Sequence, residues 1–278
     1  MKNLFLHFIF LFSITSCLNN ETDKLIDKGN DVNFSIVKHN DNGFSNFDRK
    51  VVVFGIDIYA VVSVENEKLL HAANVMAQYL DNDEDGVVDN QLVLRKMLER
   101  RAFMVMWKNE SDLDINVPGD REGQDLGNDE TNPNFVSNGK KGSFDATLEE
   151  VLHLINSAGH SNAYPDAFGQ KIGSKLSNAM DIARGGRFLS IPMHYPDSAW
   201  YTYEDETCDY SDCQTIEYFY WALTSILGAQ ENRLEEIRNE WRLNTKQKVE
   251  NMDSNIYNLI TNPIYNMPTI LPDGTYRH

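Results

Sequence analysis

The amino-acid sequence predicts an α+β fold: a mostly helical single domain with a small sheet. A β-branched and aromatic run occupies residues 50–64, and a second short apolar run occupies 102–107. Several other segments carry apolar residues at helical spacing. A chain that is mostly helical with a small sheet belongs to the α+β class. We expect one domain over residues 47–278, because about 230 residues is within the range of single domains.

The predicted sheet comes first in this domain. Residues 50–64 predict one strand or a pair of strands that meet near Gly55. Apolar spacing then indicates helices over 65–80 and 90–101, followed by a strand at 102–107. Residues 111–143 are polar and rich in Gly, Asn and Asp, which is typical of a functional or disordered loop.

The second half of the chain predicts four more helices. They cover 147–158, stopped by Gly159, then 171–183, ended by Gly185 and Gly186, and finally 215–229 and 231–248. Between the second and third of these lies an irregular loop at 192–213. It is rich in aromatic residues, namely Tyr195, Trp200, Tyr201, Tyr203 and Tyr210.

The first seventeen residues have the order of an export signal: Lys2, a short apolar core, and small residues before Cys17. The segment Ile-Thr-Ser-Cys resembles the lipobox of bacterial lipoproteins. The resemblance implies cleavage after residue 16, acylation of Cys17, and a membrane-anchored protein of the bacterial cell envelope, periplasmic or surface-exposed. The alternative is an ordinary secretory signal. Residues 17–46 are polar beyond the cysteine and predict a flexible tether.

The two other cysteines and the net charge fit an exported protein. Cys208 and Cys213 predict a disulfide that closes a small loop, whereas a zinc pair would need a second Cys/His pair nearby. The formal net charge of −17 argues against nucleic acid as a partner, because phosphate binding needs clustered Lys and Arg.

Residues 81–89 place carboxylates at the first, third, fifth and ninth positions of a loop, with Gly86 at the sixth. The pattern resembles an EF-hand loop over 81–92, and the predicted flanking helices strengthen the resemblance. It implies weak, structural calcium binding. Position twelve is Leu92 instead of the family's bidentate Glu, and the alternative is an acidic turn that binds no ion. The implied calcium ligands are Asp81, Asp83, Asp85, Val87 and Asp89.

Residues 147–160 contain the motif Glu-Glu-x-x-His. Glu149 and His153 share one helix face because they are four residues apart. The segment resembles the zincin motif His-Glu-x-x-His with Glu149 in place of the first His. The resemblance implies that Glu149 and His153 bind zinc or another divalent transition metal, and that Glu150 is the general base toward metal-bound water. It allows His160 and Glu217 as further ligands, although zincins with a third His place it six residues after the second, not seven.

A purely structural interpretation of the same segment stays open. Thr147 and Glu150 have the spacing of a capping box, and Glu149 would favour the positive end of the helix dipole. His153 lies among leucines, where a hydrogen-bonded core histidine is common.

Two functions follow from these patterns. The first is a metal-dependent, peptidase-like hydrolase that uses Glu150 as base and acts on a peptide or polymer substrate. The second is a non-catalytic calcium-binding surface module that binds a polymer or protein partner through the Tyr/Trp-rich loop. A scaffold with no small ligand beyond calcium is a third possibility.

Overall fold

A computed structural model describes residues 32–113, 117 and 119–278 of the chain. The predicted signal peptide, Cys17 and the tether up to residue 31 lie outside the described residues. The fold is α+β, with helices packed on one small five-stranded sheet, as the sequence predicts. Within the described part of the chain, no helix is long and apolar enough to cross a bilayer.

The sheet is mixed and its strands are neighbours in chain order. The strands are β1 (Val37–Lys38), β2 (Arg49–Val53), β3 (Ile56–Ala60), β4 (Phe103–Trp107) and β5 (Gly123–Gly127). The pairs β1–β2 and β2–β3 are antiparallel, and β3–β4 and β4–β5 are parallel. Phe54 and Gly55 both have positive φ, so the turn near Gly55 does separate two strands. The strand β5 lies inside the segment predicted as a loop.

The helices follow the predicted order with some changes. They are α1 (Asn66–Leu80), α2 (Gln91–Glu99), α3 (Thr147–Leu154), α4 (Ser161–Ala163), α5 (Pro165–Phe168), α6 (Lys175–Ala183), α7 (Thr215–Leu227), α8 (Leu234–Ile237), α9 (Lys246–Met252) and α10 (Ser254–Ile260). Two π-helical turns, Ile155–His160 and Tyr210–Gln214, precede α4 and α7. Two 3-10 turns complete the list, Glu110–Leu113 and Pro263–Tyr265.

Two predicted boundaries differ from the structure. Gly159 does not stop its helix, because the chain continues through the π-helical turn into α4. A Cβ at Gly159 would lie 2.6 Å from Val93 of α2, so the glycine permits close packing of two helices. The first helical residue of α6 is Lys175 instead of residue 171, after the N-cap Ser174.

The predicted helix over 231–248 is wrong. The chain there forms only the short α8, then an isolated β-bridge between Trp241 and Tyr201, and then α9. Trp241 is fully buried and donates its indole N–H to Ser225 Oγ, 2.9 Å away. Burial of this indole therefore overrides the amphipathic pattern of the segment.

The globular fold also begins earlier than residue 47. Phe34, Ile36 and Phe44 belong to the core, and Phe44 stacks on Tyr59 with ring centroids 3.9 Å apart. Part of the segment predicted as a tether is therefore packed structure, held by three apolar side chains in an otherwise polar sequence.

The C-terminal residues pack against α1 and the acidic loop that follows it. Gln78 Oε1 accepts hydrogen bonds from the backbone N–H groups of Asp273 and Gly274, at 3.0 and 2.8 Å. Asn82 Oδ1 accepts from the N–H groups of residues 269 and 270, and Tyr276 donates its hydroxyl to Asp81 at 2.5 Å. We call residues 266–278 the C-terminal strap.

Asp145 links α1, which lies against the strap, to the start of α3. Its buried carboxylate lies 2.7 Å from His71 Nε2 and accepts the backbone N–H groups of Asn132 and Thr147. These hydrogen bonds, together with the electrostatic effect of His71, outweigh burial and lower the pKa of Asp145. The other ring nitrogen of His71 faces Gly274 of the strap.

Substitution of Gly274 tests the fit of the strap. A Cβ there would lie 2.0 Å from His71 Nδ1, on a residue whose φ is +77°. We expect Gly274→Ala to lower the free energy of unfolding by about 2–4 kcal/mol, measured by urea denaturation, because backbone strain and overpacking add.

Gly142→Ala is the matched control. Its φ is +90° but nothing lies within 4 Å of the added Cβ, so only backbone strain of about 1 kcal/mol applies. Equal losses in the two variants would contradict the packing of the strap on His71.

Candidate metal centre

The helices α3 and α7 bring three potential metal ligands together. Glu149 and His153 lie one turn apart on α3, and Glu217 lies in the first turn of α7. One ligand atom from each residue lies within 4.8 Å of the others. The Nε2 atom of His153 lies 3.6 Å from Glu217 Oε2. The structure therefore places three of the sequence-predicted residues around one point.

His153 is oriented by Glu150 and not by the backbone. The Nδ1 atom of His153 lies 3.3 Å from Glu150 Oε2, which also accepts the Gln124 amide of β5 at 2.5 Å. The Nε2 atom of His153 is buried and has no hydrogen-bond partner among the described residues. A carboxylate on one imidazole nitrogen and a free second nitrogen is the arrangement of a metal-binding histidine.

The electrostatics of the cluster favour a bound cation. Burial raises the pKa of Glu149 to about 8, with a further contribution from Glu217. Burial also raises the pKa of Glu217. Burial alone would lower the pKa of His153, but the three surrounding carboxylates outweigh it and raise that pKa to about 10. When the three carboxylates around His153 are ionised, one imidazolium does not balance their negative charge, and a bound cation would.

Tyr220 packs beside the two α3 ligands. Its side chain lowers the pKa of Glu149, although burial outweighs that effect, and its hydroxyl accepts the Gln230 amide at 3.2 Å. Its ring packs edge-on against His153, with centroids 5.6 Å apart. Glu150 and Tyr220 therefore both lie against the His153 imidazole, a feature that supports metal binding.

His160 does not join this group. Its ring lies between Phe168 and Phe219, with centroids 5.6 and 5.9 Å away, and burial lowers its pKa to about 4. His160 follows His153 by seven residues instead of the six found in zincins, and a π-helical turn lies between them. Both differences separate His160 from the three ligands.

The capping box expected from the structural interpretation is not formed. Ala146 is the N-cap residue of α3, and the Thr147 hydroxyl has no hydrogen-bond partner among the described residues. Asp145 accepts the Thr147 N–H instead. Glu150 is consequently free to contact Gln124 and His153.

The aromatic loop at 192–213 is packed inward. Tyr201 donates its hydroxyl to the Gln214 carbonyl at 2.8 Å, and Tyr210 donates to Asp181 at 2.8 Å. Trp200 donates to Asp253, and both tyrosines are buried. Cys208 and Cys213 lie at disulfide distance, with Cα atoms 5.6 Å apart, as the sequence predicts. The loop therefore covers the start of α7, with Tyr201 and Tyr210 buried and Tyr195, Trp200 and Tyr203 half-buried.

The acidic loop between α1 and α2 brings together three of the predicted calcium ligands. Ligand atoms of Asp81, Asp83 and Asp89 lie within 4.8 Å of one another. Asp85 Oδ1 instead accepts the Val87 N–H at 2.8 Å. Asp81 is fully buried and accepts the N–H groups of residues 85 and 86.

Sequence reasoning missed the residues that support the ligands from outside. Gln124 and Tyr220 carried no motif, and Gln124 lies in a strand that was not predicted. Glu240 was also missed: it is largely buried, accepts the Trp221 indole N–H at 2.8 Å, and interacts electrostatically with Glu217. Only a structure brings these distant positions together.

Glu240 predicts a pH dependence of stability. Burial, with a smaller contribution from Glu217, raises its pKa from 4.5 to about 7. Between these two values the folded protein holds more protons than the unfolded chain, so the free energy of unfolding falls as pH rises. The Gln side chain of Glu240→Gln cannot titrate. Between about pH 5 and about pH 8 we expect the free energy of unfolding of this variant to fall by about 1–3 kcal/mol less than that of the parent.

Urea denaturation of the EDTA-treated protein measures this difference. Glu235→Gln is the control, because the Glu235 side chain is 83% exposed. A Glu240→Gln variant with the same pH dependence as the parent would show that Glu240 titrates normally in the folded state.

Comparisons with known proteins identify no relative. No family model matches the chain, no curated protein matches it, and no solved structure matches it. What the centre can bind and do therefore follows from its own residues and their contacts.

Proposed function

We propose that this chain is a metal-dependent hydrolase whose metal ion is held by Glu149, His153 and Glu217. The observation that supports it most is the Nε2 atom of His153, which is buried without a partner beside two carboxylates with raised pKa values. A buried imidazole nitrogen that lacks a hydrogen bond costs free energy, and a metal ion would remove that cost. The same ion would stabilise the ionised form of both carboxylates.

The donor set indicates which metals fit. One imidazole and two carboxylates suit zinc, and they also suit manganese or iron. Two carboxylates neutralise the charge of a divalent ion. Compared with a site built from neutral histidines, this site has harder oxygen ligands, and the bound metal with its ligands carries less positive charge.

Hydrolysis of peptide-like bonds is the chemistry that such a centre supports. A divalent ion with three protein ligands polarises a carbonyl and lowers the pKa of water. Glu150 orients His153 through Nδ1, and its side chain is 22% exposed. The role of Glu150 as general base stays a prediction, whereas its contacts favour a positioning role.

The packing of the aromatic loop favours this function over a binding module. The hydroxyl groups of Tyr201 and Tyr210 and the indole N–H of Trp200 are used inside the protein. A surface that binds a polymer by stacking needs exposed aromatic faces. The buried tyrosines fit a cover over α7 better.

Elemental analysis of the full-length chain tests the metal centre. We expect about one equivalent of zinc, manganese or iron in the parent and none in His153→Ala, because His153 supplies the only imidazole ligand. Glu150→Gln keeps all three ligands, and we expect metal affinity about 10- to 100-fold weaker through loss of the outer-shell carboxylate.

His194→Ala is the matched control, since His194 is an exposed histidine of the aromatic loop. It should keep the parent's metal content. Cleavage of a peptide library by the metal-loaded parent, abolished in Glu149→Gln, would support the hydrolase. A metal-free parent after reconstitution would rule the proposal out.

We also propose a structural calcium ion in the acidic loop. The juxtaposed carboxylates of Asp81, Asp83 and Asp89 support it, since calcium favours six to eight oxygen ligands. With calcium at about 10 mM, roughly tenfold or more above the dissociation constants typical of external modules, we expect the melting temperature of the parent to rise by several degrees.

Asp83 is exposed, so Asp83→Asn should fold and lose most of the calcium-dependent rise. Asp197→Asn removes an exposed carboxylate elsewhere and should retain the full rise. Differential scanning calorimetry with calcium and with EDTA gives both values. An identical rise in Asp83→Asn and Asp197→Asn would indicate a general charge effect.

A further inference from the structure

Asn156 is a fully buried amide with neither end bonded. It lies in the π-helical turn after α3, and its exposed fraction is 0%. Neither its Oδ1 nor its Nδ2 atom has a hydrogen-bond partner among the residues that the structure describes. Buried polar groups in native proteins are nearly always bonded, so this pair of atoms requires a partner other than the described residues.

Two other buried asparagines of the same fold have protein partners at both ends of the amide. The Asn90 amide donates to the Tyr265 carbonyl at 2.7 Å and accepts the Val93 N–H at 3.2 Å. Asn244 donates to two carbonyl groups, at 3.2 and 2.8 Å, and accepts from Lys248 Nζ. Asn156 differs from both, because neither end of its amide has a partner among the described residues.

The position of Asn156 points to the metal centre. It follows His153 by three residues and Glu149 by seven, on one continuous helical run, so the three side chains share a face. His153 on this face contacts Glu217 of α7. Two buried atoms near the start of α7 also lack partners in the described chain, Gln214 Oε1 and Thr215 Oγ1.

The π-helical turn is a second sign of a specialised segment. Such turns are rare and concentrate at functional sites, because they shift the side chains that follow them. Here the turn begins two residues after His153 and contains Asn156.

We propose that Asn156 is a positioning residue of the metal centre, whose amide holds ordered water in the shell around the metal. The inference rests on the metal centre proposed above. Three protein ligands leave at least one coordination position for solvent. Water both donates and accepts hydrogen bonds, so it can satisfy Oδ1 and Nδ2 together. Direct coordination by Oδ1 would leave Nδ2 unbonded.

Cobalt(II) substitution of the full-length chain tests this role, since its visible absorption reports the surroundings of the ion. We expect Asn156→Ala to weaken cobalt affinity by about 10- to 100-fold and to shift the absorption bands, as loss of an outer-shell partner does. Asn156→Leu, matched in volume and without an amide, should behave alike. Asn156→Leu should keep the melting temperature of the metal-free protein, because it fills the same space and removes an amide with no protein partner, whereas Asn156→Ala also leaves a cavity.

Asn90→Ala is the control, and we expect it to change the stability of the protein but not its cobalt binding. It breaks satisfied hydrogen bonds, so it should lower the melting temperature and leave the cobalt spectrum unchanged. A parent that takes up cobalt, with Asn156 variants identical to it in affinity and spectrum, would overturn the role of Asn156 alone. A parent that takes up no cobalt would overturn both the metal centre and this inference.

Discussion

Asp145 is the buried carboxylate that links α1, the long loop before α3 and the first turn of α3. It lies against His71 of α1, accepts the N–H at the start of α3, and accepts the N–H of Asn132 in the long loop before that helix. Asp145 therefore contributes directly to the position of the first turn of α3. Since α3 carries Glu149 and His153, the geometry of the proposed metal centre depends in part on Asp145 although Asp145 is not one of its ligands.

Residues of neighbouring elements also contact the proposed ligands and their partners. Gln124 of the edge strand β5 donates to Glu150, Glu150 lies against His153, and Tyr220 of α7 packs on the His153 ring. The first of these contacts joins β5 to α3, the second lies within α3, and the third joins α7 to α3. The sheet and α7 thereby both help to fix α3, as a site needs when its ligands must be positioned to within about 0.5 Å.

How much of this could be read from the sequence depends on how local each signal is. The spacing of Glu149 and His153 on one helix face is a local property, and it predicted their juxtaposition correctly. Glu217 followed instead from the resemblance to zincins, some of which take a further Glu ligand from a downstream helix. His160 failed, since a π-helical turn changes the angle between residues and leaves no mark in the hydrophobic pattern. The strand β5 failed because Gly123–Gly127 has two glycines in five residues and gains its structure from pairing with β4.

The C-terminal strap has a consequence for how the protein is made. Residues of the strap supply hydrogen bonds to Gln78, Asn82 and Asp81, so α1 reaches its final surroundings only after a segment 195 residues further along the chain has been synthesised. His278 has its ring against Gly86. A purification handle fused after His278 would therefore push on the acidic loop, whereas one inserted in the exposed 139–142 turn would leave that loop alone.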